Sequence, residues 1–403
     1  MPQHAARRCS LHFNLLNLSN AFYSDTQHER EVLLTGLALS KKLRLQIFHQ
    51  PKTKIMTVTP RLFLLVALNI FFLKFACLPI ECNAQATPKR SLLALSKANH
   101  TLAIVDPTTL KIVARIPVGQ DPHEMVASAD GRTAYVCIYG GGSLHEINVI
   151  DLVAQKALDN IDTRPLYGPH DITFVNGKIW FTAEGSKAVG RYDPVTKKLD
   201  WSMGTGQDRT HMIYVTADGK KVYTTNIASG TVSILENKLV QPGAMAPPNA
   251  KPRDEWMQTL VPTARGSEGF DVSPGGTELW TAASEDGTIS IIDLTAKKLA
   301  AKVDAKVMGA NRLKFTPDGK MVFISSLQTG ELTIYDASSR KEIKRLKLGK
   351  GAAGILMDAD GSRAFVACSA DNNIAVINLK TLEVINHLDV GGTPDGLAWA
   401  IQP

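Results

Sequence analysis

A tight-turn dipeptide recurs along this chain at nearly constant intervals, and this repeat constrains the fold more than any other feature. The dipeptides are Asp130-Gly131, Asn176-Gly177, Asp218-Gly219, Gly275-Gly276, Asp318-Gly319 and Asp360-Gly361, with successive spacings of 46, 42, 57, 43 and 42 residues. A short apolar segment precedes each dipeptide, and a β-rich segment follows it. Asp-Gly and Asn-Gly favour type I′ turns, so each repeat is predicted to contain a β-hairpin.

Two further strands complete each repeat, as at residues 331–336 and 342–348. Four strands that recur at such a period are typical of a β-propeller blade. The sequence therefore predicts an all-β fold, a seven-bladed β-propeller with four-stranded antiparallel blades. Residues 92–118 supply the outer strands of the seventh blade and residues 393–401 its inner strand. Pairing of the N-terminal strands with the C-terminal strand closes the ring and removes a free sheet edge.

The positive charge of the chain belongs to its first 86 residues. The formal net charge is +7, but residues 1–86 hold 10 of the 45 Lys and Arg residues and only 4 of the 38 acids. The remaining 35 basic and 34 acidic residues balance one another. A nucleic-acid partner is therefore not expected, because such partners select a basic surface.

Residues 56–86 are predicted to be a signal peptide. Basic residues precede an apolar run at 62–73, and Ala84-Gln85-Ala86 fits the small-x-small cleavage rule. Residues 1–55 are then a doubtful N-terminal extension, and residues 87–403 form the propeller. The alternative is an uncleaved anchor that continues to Ile80. We expect cleavage, a periplasmic or secreted protein, no membrane span in the mature chain, and a monomer.

Only two of the five cysteines, Cys137 and Cys368, lie beyond the signal peptide. They belong to blades 1 and 6, which are not neighbours in a ring of seven. Disulfide geometry requires Cα atoms within about 7 Å, so we expect two free, buried thiols.

One residue at the start of each inner strand is predicted to lie on the rim of the central channel. In blade order these residues are His123, His170, His211, Glu268, Asn311, Ala353 and Asp395. The connections between the second and third strands share this face. One of them, the glycine-rich loop of blade 1, is expected to bring His145 over the rim. A Pro-rich insertion at residues 237–255 lies on the opposite face and is a candidate docking loop.

Three interpretations of this rim stay open. His123, His170, His211 and Glu268 could hold zinc, copper or iron, because imidazole nitrogen and carboxylate oxygen suit these metals. Alternatively, the same residues with Asn311, Arg312 and Asp395 could bind an organic or anionic ligand, which Arg209 and Arg312 would favour. The third interpretation is a water-filled channel with no ligand, in which the histidines bond to the backbone or to Asp171 and Glu124.

Several motifs resemble a known family. Residues 128–136 (SADGRTAYV), 148–152 (NVIDL) and 289–294 (ISIIDL) resemble the YVTN-type β-propeller repeat of bacterial extracytoplasmic proteins. The resemblance implies the propeller fold and an extracytoplasmic location. The family ranges from binding and surface proteins to relatives of lactonases and of the propellers of copper and haem enzymes, so it leaves the activity undecided.

Two functions therefore remain, and the sequence does not decide whether the protein is an enzyme. The first is a binding or scaffold protein that holds a small ligand, a metal or a protein partner at one channel mouth. The second is a metal-dependent, lactonase-like hydrolase with His145 or Asp395 as the catalytic proton acceptor. Metal content should distinguish them, because the hydrolase needs a bound divalent metal.

Overall fold

The computed structural model describes residues 85–247 and 249–403. The N-terminal extension, and the predicted signal peptide up to residue 84, lie outside the described residues. Within the described part, no helix is long and apolar enough to cross a membrane.

The described chain is a seven-bladed β-propeller, as predicted. The inner strands contact one another in circular order from blade 1 to blade 7 and back to blade 1. All pairings within the blades are antiparallel. Six blades have four strands. In blade 1 the outer strand is broken into two short pieces, and both pair with the third strand.

The strands are grouped here by blade, from the inner strand outward, beginning with blade 1. They are Pro122–Ala127, Thr133–Ile138, Glu146–Asp151, Lys156–Ala157 and Ile161–Asp162; Pro169–Val175, Lys178–Ala183, Ala188–Asp193 and Lys198–Gly204; Thr210–Val215, Lys221–Asn226, Thr231–Val240 and Arg253–Pro262; Ser267–Val272, Glu278–Ala283, Thr288–Asp293 and Lys298–Asp304; Ala310–Phe315, Met321–Ser326, Glu331–Asp336 and Lys341–Lys347; Ala352–Met357, Arg363–Cys368, Asn373–Asn378 and Glu383–Leu388; and Pro394–Ile401, Arg90–Ser96, Thr101–Asp106 and Lys111–Pro117. Single 3₁₀ turns occur at Gly140–Gly142, Glu184–Ser186 and Ser369–Asp371.

The ring closes as the sequence predicts. The C-terminal strand Pro394–Ile401 pairs with Arg90–Ser96, with Leu92 opposite Trp399. This pairing completes blade 7 from the two ends of the described chain. The inner strand of blade 7 therefore has a hydrogen-bonded neighbour instead of an open edge.

The hairpin turns differ from the predicted type at all but one position. Only Asn176-Gly177 has positive φ at both residues, 53° and 74°, which the I′ turn requires. In blade 1, Gly131 has a φ of 64°, but Asp130 is not in the left-handed region. There the N–H of Gly131 donates to the carbonyl of Ser128, 2.9 Å away, and the Asp130 carboxylate accepts from the N–H of Arg132. The aspartate thus contributes a side-chain hydrogen bond to this turn and not a positive φ.

The apolar core lies between adjacent blades. Trp280 is fully buried in blade 4 and meets Phe315 of blade 5 edge to face, with ring centroids 5.7 Å apart. Trp180 of blade 2 packs against Ile213 and Val215 of blade 3. Both tryptophans thus pack between blades, and the prediction of two free, buried cysteines is confirmed.

The insertion in blade 3 extends a hairpin. The third and fourth strands of this blade each have ten residues, and their pairing continues to Val240 opposite Arg253. Residues 237–240 and 253–255, which were expected to belong to a loop, are therefore paired strand.

Candidate ligand site at the channel mouth

The predicted rim residues lie around one cavity at the end of the channel. Its volume is about 220 Å³. The residues that line it are Lys97, His123, Tyr139, His170, Arg209, His211, Glu268, Asn311, Arg312, Leu327, Ala353, Ser369, Thr393 and Asp395. All seven predicted rim positions are in this set, so the predicted register of the inner strands is the observed one.

Hydroxyl groups on the second strand of one blade donate hydrogen bonds to the backbone of rim residues in the next blade. Thr182 in blade 2 donates to the carbonyl oxygen of His211 in blade 3, at 2.5 Å. Thr225 in blade 3 donates to the carbonyl oxygen of Glu268 in blade 4, at 2.6 Å. These side-chain bonds tie the backbone of His211 and of Glu268 to the preceding blade.

His211 lies between two carboxylates. Its Nδ1 is 2.6 Å from Oε2 of Glu184, and its Nε2 is 3.4 Å from Oε1 of Glu268. Burial alone would lower the pKa of His211, but the two carboxylates outweigh burial and raise it above its usual value. Burial would raise the pKa of Glu184 and of Glu268, yet interactions that include those with His211 lower each to about 2. His211 thus has a carboxylate beside each ring nitrogen, an arrangement that favours its protonated form.

The pKa of His170 is shifted in the opposite direction from that of His211. Its ring lies beside that of His211, with centroids 3.6 Å apart, and 4.6 Å from that of His123. Burial lowers the pKa of His170 well below its usual value, and the nearby His211 lowers it further. Its Nδ1 is buried and has no hydrogen-bond partner among the described residues. A neutral imidazole thus stands between two histidines that have acidic partners.

His123 is held by groups from two blades. Its Nε2 is 3.0 Å from Oδ1 of Asp121 and 2.8 Å from Nζ of Lys97. The hydrogen bond with His123 keeps the pKa of Asp121 well below its usual range. Asp395 lies at the edge of this group, 3.9 Å from Nδ1 of His123.

Arg312 spans the channel below the rim. It rises from blade 5, yet its Nε donates to Oε1 of Glu124 in blade 1 at 3.1 Å, and a second nitrogen bonds to the same oxygen. Its Nη1 donates to Oε1 of Glu268 at 2.9 Å. Burial raises the pKa of Glu124 to about 7, although Arg312 opposes the rise. Burial would lower the pKa of Arg312, but the surrounding acids raise it.

Some expected contacts do not form. His145 is not among the lining residues, because its ring faces Tyr167 at 5.5 Å and its Nδ1 lies 3.2 Å from Asp162. The predicted placement of His145 over the rim is therefore wrong. Asp171 does not bond to a histidine either. Its carboxylate accepts from the backbone N–H groups of Ile172 and Ile213.

Lys97, Asp121 and Tyr139 were missed by the sequence analysis. The Tyr139 hydroxyl donates to Glu184 at 2.6 Å, and Arg209 Nε donates to the same carboxylate at 3.0 Å. Lys97, Tyr139 and Glu184 all follow a second strand of their blade. The rule that these connections share the rim face could have found them.

The histidines do not have the arrangement of metal ligands. Two imidazoles on one tetrahedral metal have ring centroids about 5 Å apart, given metal–nitrogen distances of about 2.0–2.1 Å. His170 and His211 are closer, at 3.6 Å, and their planes are tilted by only 33°. In the described part of the chain, no group of three or more His, Cys, Asp or Glu side chains could hold a metal ion. The metal hypothesis therefore stands on sequence alone.

Comparison with solved structures supports the fold. A protein of unknown function from Desulfotomaculum acetoxidans aligns with a TM-score of 0.62 at 12% identity, over 78% of this chain and 99% of that one. A candidate 6-phosphogluconolactonase from Bacteroides fragilis gives 0.61 at 14% identity, over 78% and 98%. The dihydro-heme d1 dehydrogenase NirN, in complex with DHE, gives 0.54 at 16% identity, over 80% and 77%. At these identities the likeness shows the fold alone.

Comparison with protein-family models and with curated proteins gives no match. The similarity to the YVTN-type repeat therefore remains a resemblance based on the motifs.

Proposed function

We propose that this chain is an exported binding protein that holds a small polar ligand in the cavity at the channel mouth. The observation that carries the proposal is a set of buried polar atoms on lining residues. His170 Nδ1 and Asn311 Oδ1 have no hydrogen-bond partner among the described residues. Leaving a buried donor or acceptor unsatisfied costs about 1–3 kcal/mol. A polar ligand that bonds to these atoms would offset that cost.

The size of the cavity favours a small ligand. Pockets for drug-sized molecules typically have volumes of about 300–1,000 Å³, and this cavity has about 220 Å³. Its wall contains several charged side chains and few large apolar side chains. Leu327 is one of the apolar ones. Affinity would therefore come mainly from hydrogen bonds and charge rather than from apolar burial.

The predicted signal peptide at residues 56–86 supports the export part of the proposal. A periplasmic or secreted binding protein meets its ligand outside the cytoplasm, where such leaders direct proteins. The leader also fits the bacterial extracytoplasmic family that the repeat motifs resemble.

Lactonase-like hydrolysis is the second candidate. The neutral imidazole of His170 could accept a proton from water, and one protein with the same fold is described as a candidate 6-phosphogluconolactonase. The metal-dependent form of this activity is tested by the metal content of the purified protein. We expect equal, negligible zinc, copper and iron in the wild type and in a His123/His170/His211→Ala variant. Metal in the wild type alone would favour the hydrolase.

Thermal unfolding with a panel of small carboxylates, phosphates, amines, amino acids and sugars tests the binding function. A ligand present at about 100 times its dissociation constant stabilises the folded state by about 2.7 kcal/mol. We expect at least one compound to raise the midpoint of the wild type and not that of a His170→Ala variant. The matched control is His387→Ala, because His387 is exposed on an outer strand. If no compound distinguishes His170→Ala from His387→Ala, the proposal is wrong.

A further inference from the structure

One side of the cavity, formed by blades 5 to 7, offers hydrogen-bond acceptors. Asn311 donates through Nδ2 to Glu268 at 2.6 Å, and a carboxylate can only accept, so Oδ1 of Asn311 must be the free acceptor. This oxygen is buried and unpartnered among the described residues. Asp395 has only long side-chain contacts, at 3.5 Å to Lys97 Nζ and 3.9 Å to both Arg312 and His123. Ala353 stands between them and leaves space.

The side formed by blade 3 offers a cation. Arg209 donates through Nε to Glu184, while its two terminal nitrogens make no hydrogen bond within the described part of the chain. Its side chain is half exposed, so these nitrogens are accessible from the mouth. A guanidinium with two free nitrogens suits a carboxylate, which it can bind in a bidentate manner. Blades 3 and 7 are three blades apart, which is the largest separation in a ring of seven.

The charges around the cavity disfavour a ligand with a net negative charge. Three fixed cations stand against five carboxyl groups, and a protonated His211 leaves one carboxyl group in excess. The cations are Lys97, Arg209 and Arg312, and the carboxyl groups are those of Asp121, Glu124, Glu184, Glu268 and Asp395. An added negative charge in this buried setting would have no partner to balance it, which is costly.

We infer that the ligand is a small zwitterion of the α-amino acid class, with its carboxylate on Arg209 and its ammonium group on Asp395 and Asn311. This inference rests on the proposed binding function. A zwitterion satisfies the cation of blade 3 and the acceptors of blades 5 and 7 without changing the net charge. A neutral polyol would leave the charges of Arg209 and Asp395 without a counter-charge, which a zwitterion supplies to both.

Isothermal titration with matched probes tests the ligand class. The zwitterions are glycine, L-alanine and L-serine, and the probes that lack one charge are ethanolamine, L-lactate and glycerate, with glycerol as the neutral polyol. We expect at least one amino acid to bind about tenfold or more tightly than its singly charged or neutral counterparts. Tighter or equal binding of a singly charged or neutral probe would overturn the class and leave the binding function standing. If no probe binds, the class is wrong, and the wider thermal panel then decides the binding function independently.

Two variants locate the charges of the ligand. Arg209→Gln and Asp395→Asn should each weaken binding of the amino acid about tenfold or more, and only Arg209→Gln should spare ethanolamine. The controls are Arg253→Gln and Asp254→Asn, because both residues are exposed on the extended hairpin of blade 3 and do not line the cavity. Unchanged affinity in the Arg209 and Asp395 variants would show that the amino acid binds elsewhere, and the inference would fail.

Discussion

Replacing Arg312 by methionine tests the electrostatic organisation of the channel. Arg312 bonds to Glu124 across the channel and to Glu268 in the adjacent blade, and its side chain is only 6% exposed. Methionine has a similar length but no charge, so the variant leaves a buried carboxylate of Glu124 without its partner. Removing one member of a buried ion pair costs about 3–5 kcal/mol. We expect a loss of this size in the free energy of unfolding at about pH 8.

The loss in the free energy of unfolding should be smaller at acidic pH, because Glu124 becomes protonated there. Its pKa in the folded protein is about 7, above the ordinary value of 4.5. A carboxyl group with a raised pKa stabilises the folded state most below its unfolded pKa, and this contribution is lost as the pH rises through the folded pKa. Without Arg312 the pKa rises further. At about pH 5.5 Glu124 is then protonated in the folded variant, and the penalty for burying a charge is reduced.

Urea denaturation followed by tryptophan fluorescence measures both effects. The matched control is Arg253→Met, because Arg253 pairs with Glu255 at 3.2 Å with 77% of its side chain exposed. Exposed pairs contribute about 0–1 kcal/mol, so this control should unfold almost like the wild type. Wild-type stability of Arg312→Met at pH 8, or an equal loss at both pH values, would refute the reasoning.

Three other predictions concern protonation, the ring closure and export. In ¹⁵N-histidine NMR spectra, the pKa of His170 should lie well below 6.5 and that of His211 above it. Burial lowers the pKa of His170, whereas two carboxylates raise that of His211, and the reverse order would contradict this assignment. Gly131→Ala should destabilise the protein by more than the roughly 1 kcal/mol expected for positive φ alone, because a Cβ at this position meets the backbone of Ile401. The control is Gly177→Ala, because a Cβ there meets nothing within 4 Å. Equal losses of stability in urea denaturation would exclude the contact with Ile401. N-terminal sequencing of the protein from the periplasm or medium should begin at Thr87, whereas retention of residues 56–86 in a membrane fraction would favour the anchor.

The fold and the position of the cavity could be predicted from the sequence because both depend on local, repeated signals. The Asp-Gly period sets the length of each blade, and the strand register places the same position of each repeat at the channel. His123, His170 and His211 lie together for this reason, as expected. The sequence also showed that blade 7 must be shared between the two ends of the propeller.

The chemistry of the site depends on contacts that no repeat encodes. Arg312 and Glu124 are 188 residues apart and meet only because ring closure brings blades 1 and 5 to face each other across the channel. His170 and His211 occupy equivalent positions, yet only His211 has Glu184 and Glu268 beside it, so the pKa of His170 is lowered and that of His211 is raised. His145 was misplaced because its loop turns toward Asp162. Periodicity fixes where a backbone position lies, whereas protonation and pairing depend on neighbours that folding supplies.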